Sequence, residues 1–142
     1  MTDRRFFLDS NILMYAFGAN HPLQAPCKRL LDLIGEGEIQ VATNTEVLQE
    51  ILYRFFSIHR KDLAYQLYDS MVVLCWSIFP VTLADTNRAK ELLSKNKDID
   101  VRDAIHIACM LNNNIETIIS ADHHFDKVKE IERADPLDFP FD

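Results

Sequence analysis

Two short apolar runs in this chain each end on an aspartate. The first is Phe6-Phe7-Leu8, closed by Asp9-Ser10-Asn11. The second runs from Ile115 to Ser120 and is closed by Ala121-Asp122. Apolar runs of this length, bounded by polar turn formers, read as buried strands. After Asn11 the residues Ile12, Leu13, Tyr15, Ala16 and Phe17 begin an apolar helix. In an open α/β sheet, ligands bind at the carboxyl ends of the strands. A carboxylate is costly beside so much apolar surface unless something compensates it. Asp9 is therefore a candidate functional residue; its ordinary alternative role is to cap the next helix.

Between these corners the chain alternates strand and helix. Leu23 to Ile34 has helical spacing and stops at Gly35-Glu36-Gly37. Ile39 to Ala42 reads as a strand. Thr43-Asn44-Thr45-Glu46 reads as a capping box, with Thr43 as N-cap and Glu46 three residues on. The helix that follows reaches about Ile58 with one broad apolar stripe. Further helices are expected over Lys61 to about Cys75 and Leu83 to Ser94, the latter capped by Thr82 with Asp85. Ile78 to Val81, which contains Pro80, is an extended link or strand. Asp100 to Leu111 is almost wholly apolar beyond its first turn, as in a buried helix, and Asp103 lies in that turn. Ile131 marks a short edge strand. This alternation predicts a three-layer α/β/α sandwich around a mostly parallel sheet of four to five short strands.

Composition narrows the class. The 142 residues suit one domain, taken as 1–142, and 48% are hydrophobic, enough for a core. No apolar run approaches the ~20 residues of a membrane span. The first five residues are too short and charged a start for a secretion signal. Cys27, Cys75 and Cys109 form no CxxC pair, and their odd number argues against a disulfide framework. A reducing, cytoplasmic setting is expected. The net charge of −7, from 22 acidic and 15 basic residues, argues against passive binding to a nucleic-acid backbone. It leaves room for an enzyme whose acids hold cations that face phosphate.

Two further acids, Glu50 and Asp103, sit in helices that are otherwise apolar. With Asp9 and Asp122 they would form one acidic pocket at the carboxyl edge of the sheet. Two like charges ~4 Å apart repel by ~4 kcal/mol at an effective dielectric near 20, so such a pocket needs protons or cations. All-oxygen ligation with water filling the gaps suits Mg²⁺ or Mn²⁺. Such ions activate water and stabilise charge on a phosphodiester. No phosphate loop, nucleophile elbow or dinucleotide fingerprint competes.

Taken in order, F-F-L-D-S-N-I-L-M-Y-A-F, T-E-V-L-Q-E-I-L, V-R-D-A-I-H-I-A and I-I-S-A-D-H-H-F-D resemble the four motifs of PIN domains, most closely those of VapC-type toxin ribonucleases. The resemblance implies Asp9, Asp103 and Asp122 as metal ligands and Glu50 as the second catalytic acid. Glu46 is the alternative for that role, set aside because of its expected place in a capping box. Asn11 would orient Asp9, and Asp126 would be an auxiliary acid. The resemblance also implies Mg²⁺- or Mn²⁺-dependent RNA cleavage, a homodimer and a protein antitoxin.

The other polar residues have simpler readings. His106 is expected to be a core histidine paired to backbone, and His123 and His124 to lie exposed in a loop. The three cysteines read as core; Trp76, Phe55 and Phe56 read as core or dimer contacts. Arg54, Arg60, Lys61 and Arg102 are candidates to grip RNA, with solvated side chains as the alternative. Two other function classes stay open. One is a catalytically silent module that binds RNA or protein, and a housekeeping RNA-processing role is a variant of the leading reading. The other is a phosphatase with Asp9 as nucleophile, which would want an acid where Asn11 stands.

Overall fold

The computed structural model describes residues 5–141. The charged start, residues 1–4, lies outside this range. Strand β1 is Phe6–Leu8, followed by helices α1 (Asn11–Phe17) and α2 (Gln24–Gly35). Strand β2 (Val41–Asn44) leads into α3 (Thr45–Ser57) and α4 (Lys61–Leu74). Strand β3 (Ser77–Phe79) precedes α5 (Leu83–Lys95) and α6 (Val101–Asn112), and β4 (Thr117–Ile119) and β5 (Glu132–Ala134) close the sheet. All four strand pairings are parallel, in the order β3-β2-β1-β4-β5. Helices α1 and α2, α3 and α4, and α5 and α6 pack as pairs. The expected three-layer α/β/α architecture is the one observed.

The strand order explains where a site can form. From β1 the chain steps outward to β2 and β3, then crosses back to β4 on the other side of β1. Right-handed crossovers therefore place α5 and α6 on the face opposite the first four helices. The winding reverses between β1 and β4, and a crevice opens outside the carboxyl ends of strands at such a point. Both strands end there on a candidate acid. Phe7, Leu8, Ile118 and Ile119 are fully buried, because a parallel sheet is covered on both faces.

Local chemistry sets the element ends, with one correction. The Thr82–Asp85 capping box forms as expected, and each residue's side chain accepts the other's backbone N–H. Thr43 does not cap α3. Strand β2 runs on through Asn44, whose backbone is extended and whose Oδ1 accepts the Val47 N–H at 2.9 Å. The Thr43 hydroxyl instead donates to the Leu8 carbonyl at 2.9 Å, tying β2 to β1. Glu46 therefore falls at the second helical position, one short of the position a capping box requires. Cys27, Cys75 and Cys109 are all buried free thiols. Phe55 is core, whereas Trp76 is 57% exposed, with the Arg5 guanidinium 4.4 Å from its ring centre.

Candidate active site at the strand reversal

Asp9 stands directly after β1, and its backbone N–H still pairs with the Ile119 carbonyl of β4 at 3.1 Å. The side chain is buried. Its Oδ1 accepts the Ser10 N–H at 2.8 Å and its Oδ2 accepts the Ser120 hydroxyl at 2.7 Å. Ser120 also accepts from the Asn11 amide at 2.9 Å and from the Asp122 N–H at 3.0 Å. Asn11 Oδ1 takes the Ala121 N–H at 3.3 Å. One hydroxyl thus ties the corner after β1 to the corner after β4, and Asn11 braces both. The sequence offered Asn11 as the residue that orients Asp9; it acts through Ser120, which had no signal beyond its place at a strand end.

Asp103 enters from the first turn of α6, where the Asp100 side chain caps the helix by accepting the Asp103 N–H at 2.8 Å. Glu50 enters from α3. Its Oε1 lies 2.5 Å from His106 Nε2, and its Oε2 accepts the Ser10 hydroxyl at 3.4 Å. Asp122 caps the 3₁₀ turn His123–Lys127 and is ion-paired with His124 at 2.9 Å.

Electrostatics bind these acids into one site. Burial raises the Asp9 pKa against the pull of His106 and Ser120, and the Glu50 charge raises it further. The Asp103 pKa is pushed up to about 7, first by burial, then by Asp100, Asp9 and Asp122. Asp103 therefore feels both Asp9 and Asp122, and Glu50 adjoins through Asp9 and His106. Burial opposes a charged ring at His106; the Glu50 hydrogen bond and the Asp9, Glu50 and Asp103 charges outweigh it and raise its pKa. His106 is buried as expected, yet its partners are the side chains of Glu50 and Asn44, not backbone.

Glu46 is drawn off to Arg102 at 3.5 Å, and the same arginine reaches Glu50 Oε2 at 3.9 Å. The capping role that first set Glu46 aside is absent, but its pairing at the rim separates it from the interior acids. Asp126 is placed elsewhere. Arg133 holds both of its oxygens, at 2.9 and 3.2 Å, and His123 approaches at 3.4 Å. Arg60 pairs with Asp62, and Lys61 lies over Phe56. His123 and His124 are exposed, as expected.

The donor set is all oxygen from four carboxylates, and among the described residues no interior lysine or arginine offsets them. Among the described residues, no three acid, histidine or cysteine side chains gather closely enough to make a ready coordination sphere. An ion that keeps several of its waters and meets the carboxylates partly through them fits such a loose set; Mg²⁺ binds in this way.

A family model described as "PIN domain" matches residues 6–131. The chain belongs to the PIN-domain family. A relative named VapC ribonuclease Mb1869c, from Mycobacterium bovis, is 34% identical over 126 residues, 89% of this chain and 96% of that protein. Ribonuclease VapC23 of Mycobacterium tuberculosis is 31% identical over 120 residues, 82% of this chain and 92% of that one. Among solved structures, the VapBC2 complex of Rickettsia felis bound to a promoter DNA fragment contains a similar chain, with TM-score 0.70 and 17% identity, covering 92% of this chain and 98% of that chain. Mycobacterium tuberculosis VapC20, titled a Sarcin-Ricin loop cleaving toxin, matches with TM-score 0.68 and 18% identity, covering 89% and 98%. At these identities the structural likeness speaks to the fold alone. The PIN-domain match begins at Phe6 and ends at Ile131, so it takes in all four interior acids.

Proposed function

We propose that this PIN domain is a divalent-metal-dependent endoribonuclease and the toxin of a toxin–antitoxin pair. The observation that carries the proposal is the pair of acids with raised pKa values at the strand reversal, buried Asp9 and half-buried Asp103, with no buried lysine or arginine among the described residues to offset them. Relatives that align along most of this chain are named ribonucleases, which favours RNA over other phosphodiesters. Asp9, Asp103 and Asp122 would hold Mg²⁺ or Mn²⁺, which when bound supplies an activated water and neutralises charge building on the scissile phosphate.

The protein's own groups set the geometry for that chemistry. Ser10 and Ser120 fix both oxygens of Asp9, so the carboxylate does not rotate away. Asn11 and Ser120 hold the Asp122 corner against it. Glu50, anchored by Ser10 and His106, is the second acid and can accept a proton from water or a sugar hydroxyl at the pocket. Burial of Asp9 keeps bulk solvent off the reacting region and strengthens each charge interaction there. Arg102, half exposed at the rim beside Glu46 and Glu50, would meet an RNA phosphate. The proposal includes a homodimer and a protein antitoxin; the Rickettsia neighbour is itself titled as a complex of that kind.

Purified protein incubated with total cellular RNA tests the reading. Discrete fragments are expected with Mg²⁺ or Mn²⁺ and none with EDTA. Calorimetry with Mn²⁺ separates it from a silent binding module, which would take up no metal. Cleavage that persists in EDTA would overturn the metal-dependent assignment. A small DNA-binding protein encoded beside this reading frame would support the toxin role over housekeeping RNA processing.

A further inference from the structure

Asn44 is buried between α3 and α6, and both arms of its amide are spoken for. Its Oδ1 accepts the Val47 N–H, one of the orphan donors at the start of α3, at 2.9 Å. Turning the amide over would set NH₂ against that N–H and forfeit the cap. The cap therefore directs the Asn44 Nδ2 toward His106 Nδ1, 3.2 Å away. An amide NH₂ only donates, so Nδ1 must accept. The ring proton then sits on Nε2, which faces Glu50 Oε1. The Phe7 ring, 5.7 Å from the imidazole centre and tilted by 43°, limits the swing of His106.

We propose that His106 is a positioning residue for Glu50, held by Asn44 in the Nε2–H tautomer, so that the cap of α3 dictates how the second acid is aimed. The inference deepens the proposed nuclease function and rests on it for its purpose. Nε2–H donates to one carboxylate oxygen in the neutral ring as in the charged one, whereas a lysine or arginine in the same place would permanently cancel charge that the pocket offers to a cation. The other oxygen meets Ser10, so Glu50 is gripped from the α6 side and from the Asp9 corner together. Hydrogen-bond partners of this kind, one layer behind the acids of a metal site, commonly govern metal affinity or activity by 10–100-fold.

Three histidine variants and one asparagine variant test the proposal. Glutamine places its amide near the ε position and can still donate to Glu50; asparagine reaches only the δ position. His106→Leu and His106→Asn are expected to weaken Mn²⁺ binding, followed by calorimetry, by roughly 10–100-fold. His106→Gln should recover most of that loss, to within about threefold of wild type. Equal affinities for the Gln and Asn variants would overturn the proposal. In metal-free wild type at alkaline pH, two-bond ¹H–¹⁵N spectra of the imidazole should give the Nε2–H pattern; an Nδ1–H pattern would overturn it. Asn44→Asp keeps an acceptor for Val47 but turns an acceptor toward Nδ1, and should move the ring proton there. If wild type takes up no Mn²⁺, the metal-site reading fails, and the ring spectra of wild type and Asn44→Asp decide the tautomer by themselves.

Discussion

Two acidic clusters flank the end of β4, and they solve the same problem in opposite ways. Around Arg133, the carboxylates of Asp126 and Asp135 meet a guanidinium whose side chain is only 7% exposed, at 2.9 and 3.0 Å. Arg133 Nη1 also donates to the Ser120 carbonyl at 2.9 Å. There the acids have a counter-charge of their own, and Arg133, then His123, hold the Asp126 pKa below the ordinary value. Across the strand, Asp9 is buried and Asp103 half-buried, and both have raised pKa values. One cluster carries its own guanidinium; the other has no buried lysine or arginine among the described residues. A count of acids would not separate them; the lowered pKa of Asp126 against the raised ones of Asp9 and Asp103 does.

Substitutions can break this contrast. Asp9→Asn should have the largest effect, a loss of at least ~100-fold in RNA cleavage and a comparable loss of Mn²⁺ affinity, because it removes a proposed ligand outright while losses behind the ligands alone reach 10–100-fold. Circular dichroism should show the fold intact, since the amide oxygen that replaces the carboxylate can still accept from Ser10. Retained cleavage would move the centre of the site away from Asp9. Arg133→Met should act on stability instead. Removing one partner from a largely buried pair strands its acids and costs about 2–3 kcal/mol here, at the low end because Asp126 is half exposed. Urea unfolding would show the loss, and Mn²⁺ affinity should stay near that of wild type.

The pH dependence sharpens the comparison further. Asp9 and Asp103 have raised pKa values, so between the unfolded value near 3.8 and about 7 the folded protein binds more protons than the unfolded chain. Stability of the metal-free protein should therefore fall as pH climbs through that window, by on the order of 1–2 kcal/mol once partial exposure of Asp103 is allowed for. Mn²⁺ should restore it near neutrality. Asp126 runs the other way. Its contribution is present above pH 3.8 and is lost as pH drops through its lowered folded value. Thermal melts across pH, with and without Mn²⁺, read both limbs. The smallest effect is expected from Asp126→Asn, no more than ~1 kcal/mol in stability, as for other exposed ion pairs, with cleavage retained. A large fall in metal binding would instead bring Asp126 into the active pocket as the auxiliary acid.

The parts of this molecule legible in the sequence are those with local causes. Phe6–Leu8 and the run before Asp122 are apolar strands stopped by turn formers, and Thr82 with Asp85 is a capping box whose partners lie three residues apart. The Asn44 cap escapes a reading of the sequence because Thr43 has equal local merit. Only the ladder to β3, in which Asn44 sits opposite Phe79, extends β2 far enough to choose between them.

The chain's own order of residues determined that acids would stand at strand ends and in the first turns of buried helices, because period, capping and turn chemistry act within a few positions. Which acids share a field, and which acquire a counter-ion, was decided only by packing. Arg133 and Asp126 meet, and His106 reaches Glu50 across 56 residues, because parallel strands and their crossovers bring distant segments together. Charge interactions depend on distance and burial, and neither is written in sequence separation.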